Sequence, residues 1–275
     1  MDINTKIKIK SKANALQFRK SVVVLGSMVK KNIKNQYRRS VLGIFWTVLN
    51  PLLNMLVMWF VFDKIFGRSS SELFYPVYIL SGTITFNFMR SATVSSLPCM
   101  VNNYDLLTKT RVPYSVFPLS QNMSSVVNLG FSVIALIILM LACIPQGVKF
   151  YPTMLMLVVP WLPSIFLFSL GLSLALCSIY VRFRDIKHFY EVFLTLWMYA
   201  TPIFYTLDSL KLGSTAGKIL RLNPMYYYVG YVRDLLMGIV PSWQTHLICY
   251  GVGIAVFIIG AIIFRLSRKK FILYI

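Results

Sequence analysis

Gln17 to Pro51 reads QFRKSVVVLGSMVKKNIKNQYRRSVLGIFWTVLNP, and its character changes halfway. In the first half Phe18, Val22, Leu25, Val29, Ile33 and Tyr37 recur at steps of three and four, the spacing of one face of an α-helix. Lys20, Lys30, Lys34 and Arg38 lie off that stripe. Such a helix rests in the membrane interface, apolar face toward the acyl chains and cations toward the headgroups. In the second half no charge falls between Arg39 and Asp63, so a spanning helix starts there. On these residues alone the stretch is either a plain juxtamembrane anchor, its cations kept on the inner side, or an approach helix with a task of its own.

The remaining composition sets the environment. Of 275 residues 57% are hydrophobic and 13% charged, with a mean hydropathy of +0.68. A soluble domain carries roughly 25% charged residues, so the chain reads as an all-α integral membrane protein. A net charge of +20 raises the question of nucleic acid. The cations flank apolar spans instead of forming a soluble basic face, and no nucleic-acid partner is expected. Cys99, Cys143, Cys177 and Cys249 are far apart and three lie in apolar segments, which predicts buried free thiols. Residues 1–39 are polar and basic, unlike a signal peptide, and they lack a lipobox-like start.

Charge-free intervals mark the spans, each needing about 20 apolar residues. Six emerge: Ser40 to Phe62, Leu73 to Met89, one helix within Val112 to Val148, Phe150 to Val181, Val192 to Leu207 (starting near Ile186), and His246 to Phe264. Pro160 and Pro163 predict a kink near the outer end of the fourth. Six spans put both termini on one side. With both inside, 21 of the 28 Lys and Arg lie on inner segments, so the positive-inside rule places both termini in the cytoplasm. The predicted architecture is an amphipathic interface helix over 14–39 and a six-helix region over 40–267. Short outer helices fall between helices 5 and 6.

Two connections stand out. The inner loop over 97–114 reads LPCMVNNYDLLTKTRVPY. Leu106, Leu107 and Arg111 suit a short helix that Pro113 stops. The outer stretch over 208–245 includes NPMYYYVGYVRDLLMGIV, Asn223 to Val240. It is too apolar for a solvated loop and too interrupted for a span. Irregular backbone at membrane depth needs protein or a cavity around it. This predicts one or two re-entrant or interfacial helices, with Asn223 and Pro224 at an N-terminus.

Catalytic material is sparse. None of the eight carboxylates pairs inside a span. Asp185 and Glu191 lie close together, but with two His in the chain they make a poor metal site. His188 reads as an interfacial polar residue, and His246 as the opening of the last helix. Gly213 to Lys218, GSTAGK, is followed by Ile219. A phosphate loop needs four residues between its glycines and Ser or Thr after the Lys, so no ATP site is expected here. The charge-free spans also lack the mid-depth ionisable residues of an ion-coupled transporter. Energy must then come from another chain. Aromatics are abundant instead, at 15%. Some form interface belts. Trp46, Trp59, Phe60, Phe86, Phe88, Trp197, Tyr199, Phe204 and Tyr205 are candidates to line a passage, because aromatic faces stack on sugar rings.

Assembled in order, five motifs resemble the permease subunits of ABC-2 type polysaccharide exporters, which serve O-antigen, capsule, teichoic acid and rhamnan. They are YRRSVLGIFWTVLNPLL (Tyr37 to Leu53), LLTKTRVPYSVFPLS (Leu106 to Ser120), YVRFRDIKH (Tyr180 to His188), TPIFY (Thr201 to Tyr205) and LNPMYYYVGYVRDLL (Leu222 to Leu236). The resemblance covers nearly the whole chain. It implies a homodimer in the cytoplasmic membrane on two copies of a separate cytosolic ABC ATPase. ATP and Mg would sit on that ATPase, with no cofactor on this chain. The substrate would be a lipid-linked polysaccharide or teichoic acid moved to the outer face.

The same resemblance assigns roles. Tyr104, Asp105, Leu106, Leu107, Lys109 and Arg111 become the segment coupled to the ATPase. Asn223, Pro224, Tyr226, Tyr227, Tyr231 and Arg233 become part of an outer gate. The implied lipid carrier bears a pyrophosphate at the inner headgroup level. There Lys30, Lys31, Lys34, Arg38 and Arg39 either guide that anion or merely attract acidic lipid. A permease for a small molecule, and a non-transporting membrane component of glycan synthesis, remain as alternatives.

Overall fold

The computed structural model describes residues 3–37, 43, 45–65, 73–109, 112–205, 217, 220–268 and 271, with the side chains of all of these except 3–18, 37, 64 and 65. Arg38, Arg39, Arg111 and nearly all of the lookalike phosphate loop lie outside the described residues.

The described residues form nine α-helices and short 3-10 or π turns. They are α1 (Ile3–Tyr37), α2 (Phe45–Trp59), α3 (Tyr75–Ser96), α4 (Tyr104–Lys109), α5 (Val116–Ala142), α6 (Trp161–Tyr180), α7 (Ile186–Tyr199), α8 (Pro224–Leu236) and α9 (Trp243–Ser267). Four segments are long and apolar enough to cross a membrane: Phe45–Asp63, Val116–Ala142, Pro152–Tyr180 and Trp243–Ser267. Helices also occupy the other two expected intervals. However, α3 is too polar to qualify, and α7 has only 14 residues, a rise of about 21 Å.

The polarity of α3 follows from its place. Sixteen of its 22 residues are buried, and α2, α5, α6, α7 and α8 all pack on it. Its hydroxyls return to its own backbone. Ser81 Oγ donates to Tyr78 O (2.9 Å), Thr85 Oγ1 to Ser81 O (2.9 Å), Thr93 Oγ1 to Met89 O (2.8 Å) and Ser96 Oγ to Ala92 O (2.7 Å). Small polar residues of this kind let helices approach closely, and their groups stay satisfied where no water reaches. Because Arg90 lies within this helix, using charges as span boundaries cut the expected segment short at Met89.

Polar bonds and small residues tie the other helices. Asn122 of α5 is fully buried, and its Nδ2 donates to Ser173 Oγ of α6 (2.9 Å) and to Ser96 Oγ of α3 (3.3 Å). The α6–α9 pair is the most extensive helix contact. It closes at Gly171, Gly253 and Gly260, where the backbones leave no room for a Cβ. The proline break precedes α6: Pro152–Leu157 is a 3-10 turn, and Pro160 is the residue before the first helical turn.

A main core runs through α2, α3 and α5 to α9. A second, smaller core joins Met28 of α1, Leu107 of α4, Phe117 of α5, Leu174 of α6, Phe264 of α9 and Phe271. Helix α1 docks through Val24, Leu25 and Met28, while Val22 stays exposed. The docked face is therefore turned from the stripe expected in sequence. Its register is fixed by Asn32 Nδ2 donating to Ser124 Oγ (3.3 Å) and by Asn128 Nδ2 donating to Gln36 Oε1 (3.1 Å).

Candidate functional site

Helix α4 forms a projecting knob. Leu107 is buried in the second core, whereas Tyr104, Asp105, Leu106 and Lys109 are exposed. Lys109 Nζ lies 3.6 Å from Asp105 Oδ1 across one turn. Both groups are solvated, so this pair adds well under about 1 kcal/mol. Among the described residues Leu107 is the buried anchor of the helix, and its other side chains are exposed. The expected helix begins at Tyr104 and ends at Lys109, before the proline at 113.

Lys30, Lys31 and Lys34 are exposed on the C-terminal half of α1. Cations there also complement the negative end of the helix dipole. The three form an open cationic surface beside Asn32 and Gln36, which face α5.

The Asn223 side chain sits at the start of α8, where it accepts from Met225 N (2.9 Å) as an N-cap, ahead of Pro224 in the first turn. The same Oδ1 accepts from Trp197 Nε1 (2.7 Å), and Nδ2 donates to Thr201 Oγ1 (2.9 Å). One amide thus locks α7, the bend after it and α8 together. Arg233, 8% exposed, donates through Nη1 to Pro202 O (2.7 Å) and through Nη2 to Ile203 O (3.2 Å) and Tyr78 O (3.4 Å). Its guanidinium lies 3.4 Å above the Tyr78 ring centre, a cation–π contact. Tyr226 and Tyr227 meet edge to face at 5.0 Å, and the buried Tyr231 hydroxyl bonds His246 Nδ1 at 3.1 Å. The last helix opens at Trp243 with Ser242 as its cap. His246 therefore lies one turn later than expected, drawn to Tyr231.

The nine candidate passage aromatics do not share one surface. Phe86, Phe88 and Phe204 are buried in the main core. Trp46, Phe60 and Tyr199 are exposed on α2, the turn after it and α7. Trp59, Trp197 and Tyr205 are half-buried. Trp197 meets Phe86 edge to face at 6.3 Å, and Tyr199 meets Phe204 at 6.1 Å.

A groove that the sequence reading did not single out lies between the end of α1, α2, α3 and α5, with a volume of about 220 Å³. Helix α2 contributes Thr47, Asn50 and Asn54, and α3 contributes Asn87, Phe88 and Ser91. Helix α5 adds Ser125, Asn128 and Ser132, and Gln36 closes one end. Only Phe88 of the nine passage aromatics lines it. The signal was available as amides and hydroxyls four residues apart within apolar helices, Asn50 with Asn54 and Asn87 with Ser91. A search confined to charges passes over it. On the other side of Ile84 and Leu129 lies an apolar cavity of about 220 Å³, bounded also by Val133, Leu157 and Trp161.

The described residues are all helical where regular, and four of their segments are long and apolar enough to cross a membrane. The chain belongs to the ABC-2 type transporter family, which it matches over residues 24–237. It is 32% identical over 203 residues to the O-antigen export system permease protein RfbA of Myxococcus xanthus, covering 74% of this chain and 75% of that one. It is 28% identical to the RfbA permease of Klebsiella pneumoniae over 88% of this chain and 90% of the relative. The polysialic acid transport protein KpsM of Escherichia coli is 22% identical over 78% of this chain and 81% of its own length.

Proposed function

We propose that this chain is the permease subunit of an ATP-driven exporter carrying a lipid-linked cell-surface polysaccharide across the cytoplasmic membrane. The observation that carries this reading is similarity along nearly the whole chain to permeases named for O-antigen export. In this reading two copies pair, and each rests on a separate ABC ATPase that binds ATP and Mg. Helices α2, α3, α5, α6, α7 and α9 cross the bilayer, and both termini are cytoplasmic. Helix α1 lies at the inner interface, and α8 with the surrounding 208–245 stretch forms the outer gate.

The geometry suggests how force enters. Closure of the ATPase pair presses on the exposed face of α4. Leu107 passes that push into the second core, where α1, α5, α6 and α9 meet. A close-packed core shifts as a unit and does not yield locally, so the displacement reaches four helices together. The lever at the outer end is the Arg233 clamp, which binds α8 to α3 and to the bend at Pro202 and Ile203.

Lys30, Lys31 and Lys34, with Arg38 and Arg39 beyond them in sequence, supply the cationic approach for a phosphate-bearing carrier. Arg is suited to this because its planar fork grips phosphate through two hydrogen bonds. Simple attraction to acidic lipid, about 1 kcal/mol per cation, is the competing role. Arg38→Ala with Arg39→Ala separates the two, since lost export with normal insertion and normal ATPase pairing supports headgroup guidance. Unchanged export discards that role.

The whole reading is tested by co-reconstituting the permease and its ATPase in vesicles. ATP-dependent movement of lipid-linked polymer to the far leaflet is expected. Inability to pair with any ABC ATPase would refute it.

A further inference from the structure

The four-helix groove carries an inference beyond the permease assignment. Its polar side chains are amides and hydroxyls, and among the described residues no charged side chain lines it. Asn50 and Asn54 lie within the membrane-crossing segment Phe45–Asp63, and both are exposed. Asn87 and Ser91 are exposed on the facing side of α3. Among the described residues, the side chains of Asn50, Asn54 and Asn87 have no hydrogen-bond partner. An amide left without a partner in an apolar medium carries an uncompensated desolvation penalty. Three such amides converging on one groove therefore call for a polar occupant.

The chemistry of the lining narrows that occupant. An amide offers two donors and an acceptor, and a hydroxyl offers one donor and two acceptors. Together they match a ligand that is itself donor and acceptor at closely spaced points, as a ring of hydroxyls is. Phosphate offers only acceptors and would want cations, and the described lining supplies none. We infer that the groove between α2, α3 and α5 is a binding site for one uncharged sugar unit. It adjoins the cationic surface of α1 at its Gln36 end but takes none of Lys30, Lys31 and Lys34 into its lining. The inference rests on the export reading only for the source of the sugar.

The test uses single cysteines, Asn54→Cys or Asn87→Cys, in the full permease–ATPase complex in lipid nanodiscs. The four native cysteines are buried, and burial raises the Cys99 thiol well above its usual pKa, helped by its hydrogen bond with Cys177. The background to a polar maleimide is therefore low. Labelling of the introduced thiol is expected to be rapid. It is expected to slow about 3-fold when β-octyl glucoside, below its critical micelle concentration, is present at twice its Kd. Octyl phosphate, with the same chain and an anionic head, is expected to have no effect.

A thiol that labels only after denaturation would overturn the proposal, because lipid or protein would then fill the groove. Equal or stronger protection by octyl phosphate, or none by either probe, also overturns it. Export by the unsubstituted complex is measured in parallel, so failure of the groove leaves the permease reading standing, and the reverse holds.

Discussion

Replacing Gly260 with Ala is expected to damage the protein far more than one methyl group suggests. A Cβ at this position would overlap the carbonyl oxygen of Gly171 and stand 2.8 Å from its carbonyl carbon. Carbon atoms settle at about 3.5–4.0 Å, so α6 and α9 must part by about 1 Å. Their most extensive contact is thereby loosened along its length. Overpacking of this kind costs about 1–3 kcal/mol. The loss spreads to Gly253, where Tyr228 Oη donates to Cys249 O at 2.7 Å and thereby ties α8 to α9.

An internal control lies two residues from Gly253. Gly251 has nothing within 4 Å of its would-be Cβ, and Ala there is expected to be neutral or to stabilise by about 0.5–1 kcal/mol. Reversible unfolding of both variants in mixed micelles, followed by tryptophan fluorescence, measures the difference. If the two substitutions shift stability equally, close backbone contact is not what holds α6 to α9.

Arg233→Lys removes the fork that bonds Pro202, Ile203 and Tyr78, and a loss of about 2–4 kcal/mol is expected, read as a lowered midpoint in the same unfolding assay. Gly82→Ala is expected to weaken the same clamp, because its Cβ would lie 3.0 Å from Arg233 Nη2; restored stability on combining it with Arg233→Lys would identify the clash. Asn122→Leu leaves Ser173 and Ser96 without their shared donor and is expected to cost about 1–2 kcal/mol. Leu106→Asp on the exposed face of α4 is expected to reduce pull-down of the partner ATPase without altering thermal stability. Asp105→Ala, which breaks only the solvated ion pair, is expected to leave stability within about 0.5 kcal/mol.

Much of the framework was legible in the sequence because its signals were strong and local. Charge-free runs give α5 and α9 within a few residues, Ile186 gives the start of α7, and the Asn223–Pro224 pair gives the cap of α8. Other features depend on neighbours. The burial of α3 is hidden behind its Ser and Thr content, since hydropathy counts a hydroxyl as polar even when it bonds its own helix. The docked face of α1 could not be read from periodicity, because Met28 and Val24 are chosen by α5 and α9 and not by lipid. The nine passage aromatics are divided between core and surface for a similar reason: abundance does not tell which side of a helix a ring occupies. The polar groove was legible in principle, from Asn50 with Asn54 and Asn87 with Ser91, once uncharged amides in apolar helices are treated as costly.

The self-contained hydrogen bonding of α3 has a mechanical consequence. From Ile79 to Phe88, among the described residues, its hydroxyls bond only within the helix. Ties to other elements cluster near its ends, through Tyr75 and Tyr78 to the bend after α7 at one and through Ser91, Thr93 and Ser96 to α5 and α7 at the other. The middle turns therefore meet their neighbours through packing alone, with no side-chain hydroxyl bond to hold them at a fixed register. A single Gln introduced at Ile84 would place an amide in those turns and give them a polar tie they otherwise do without.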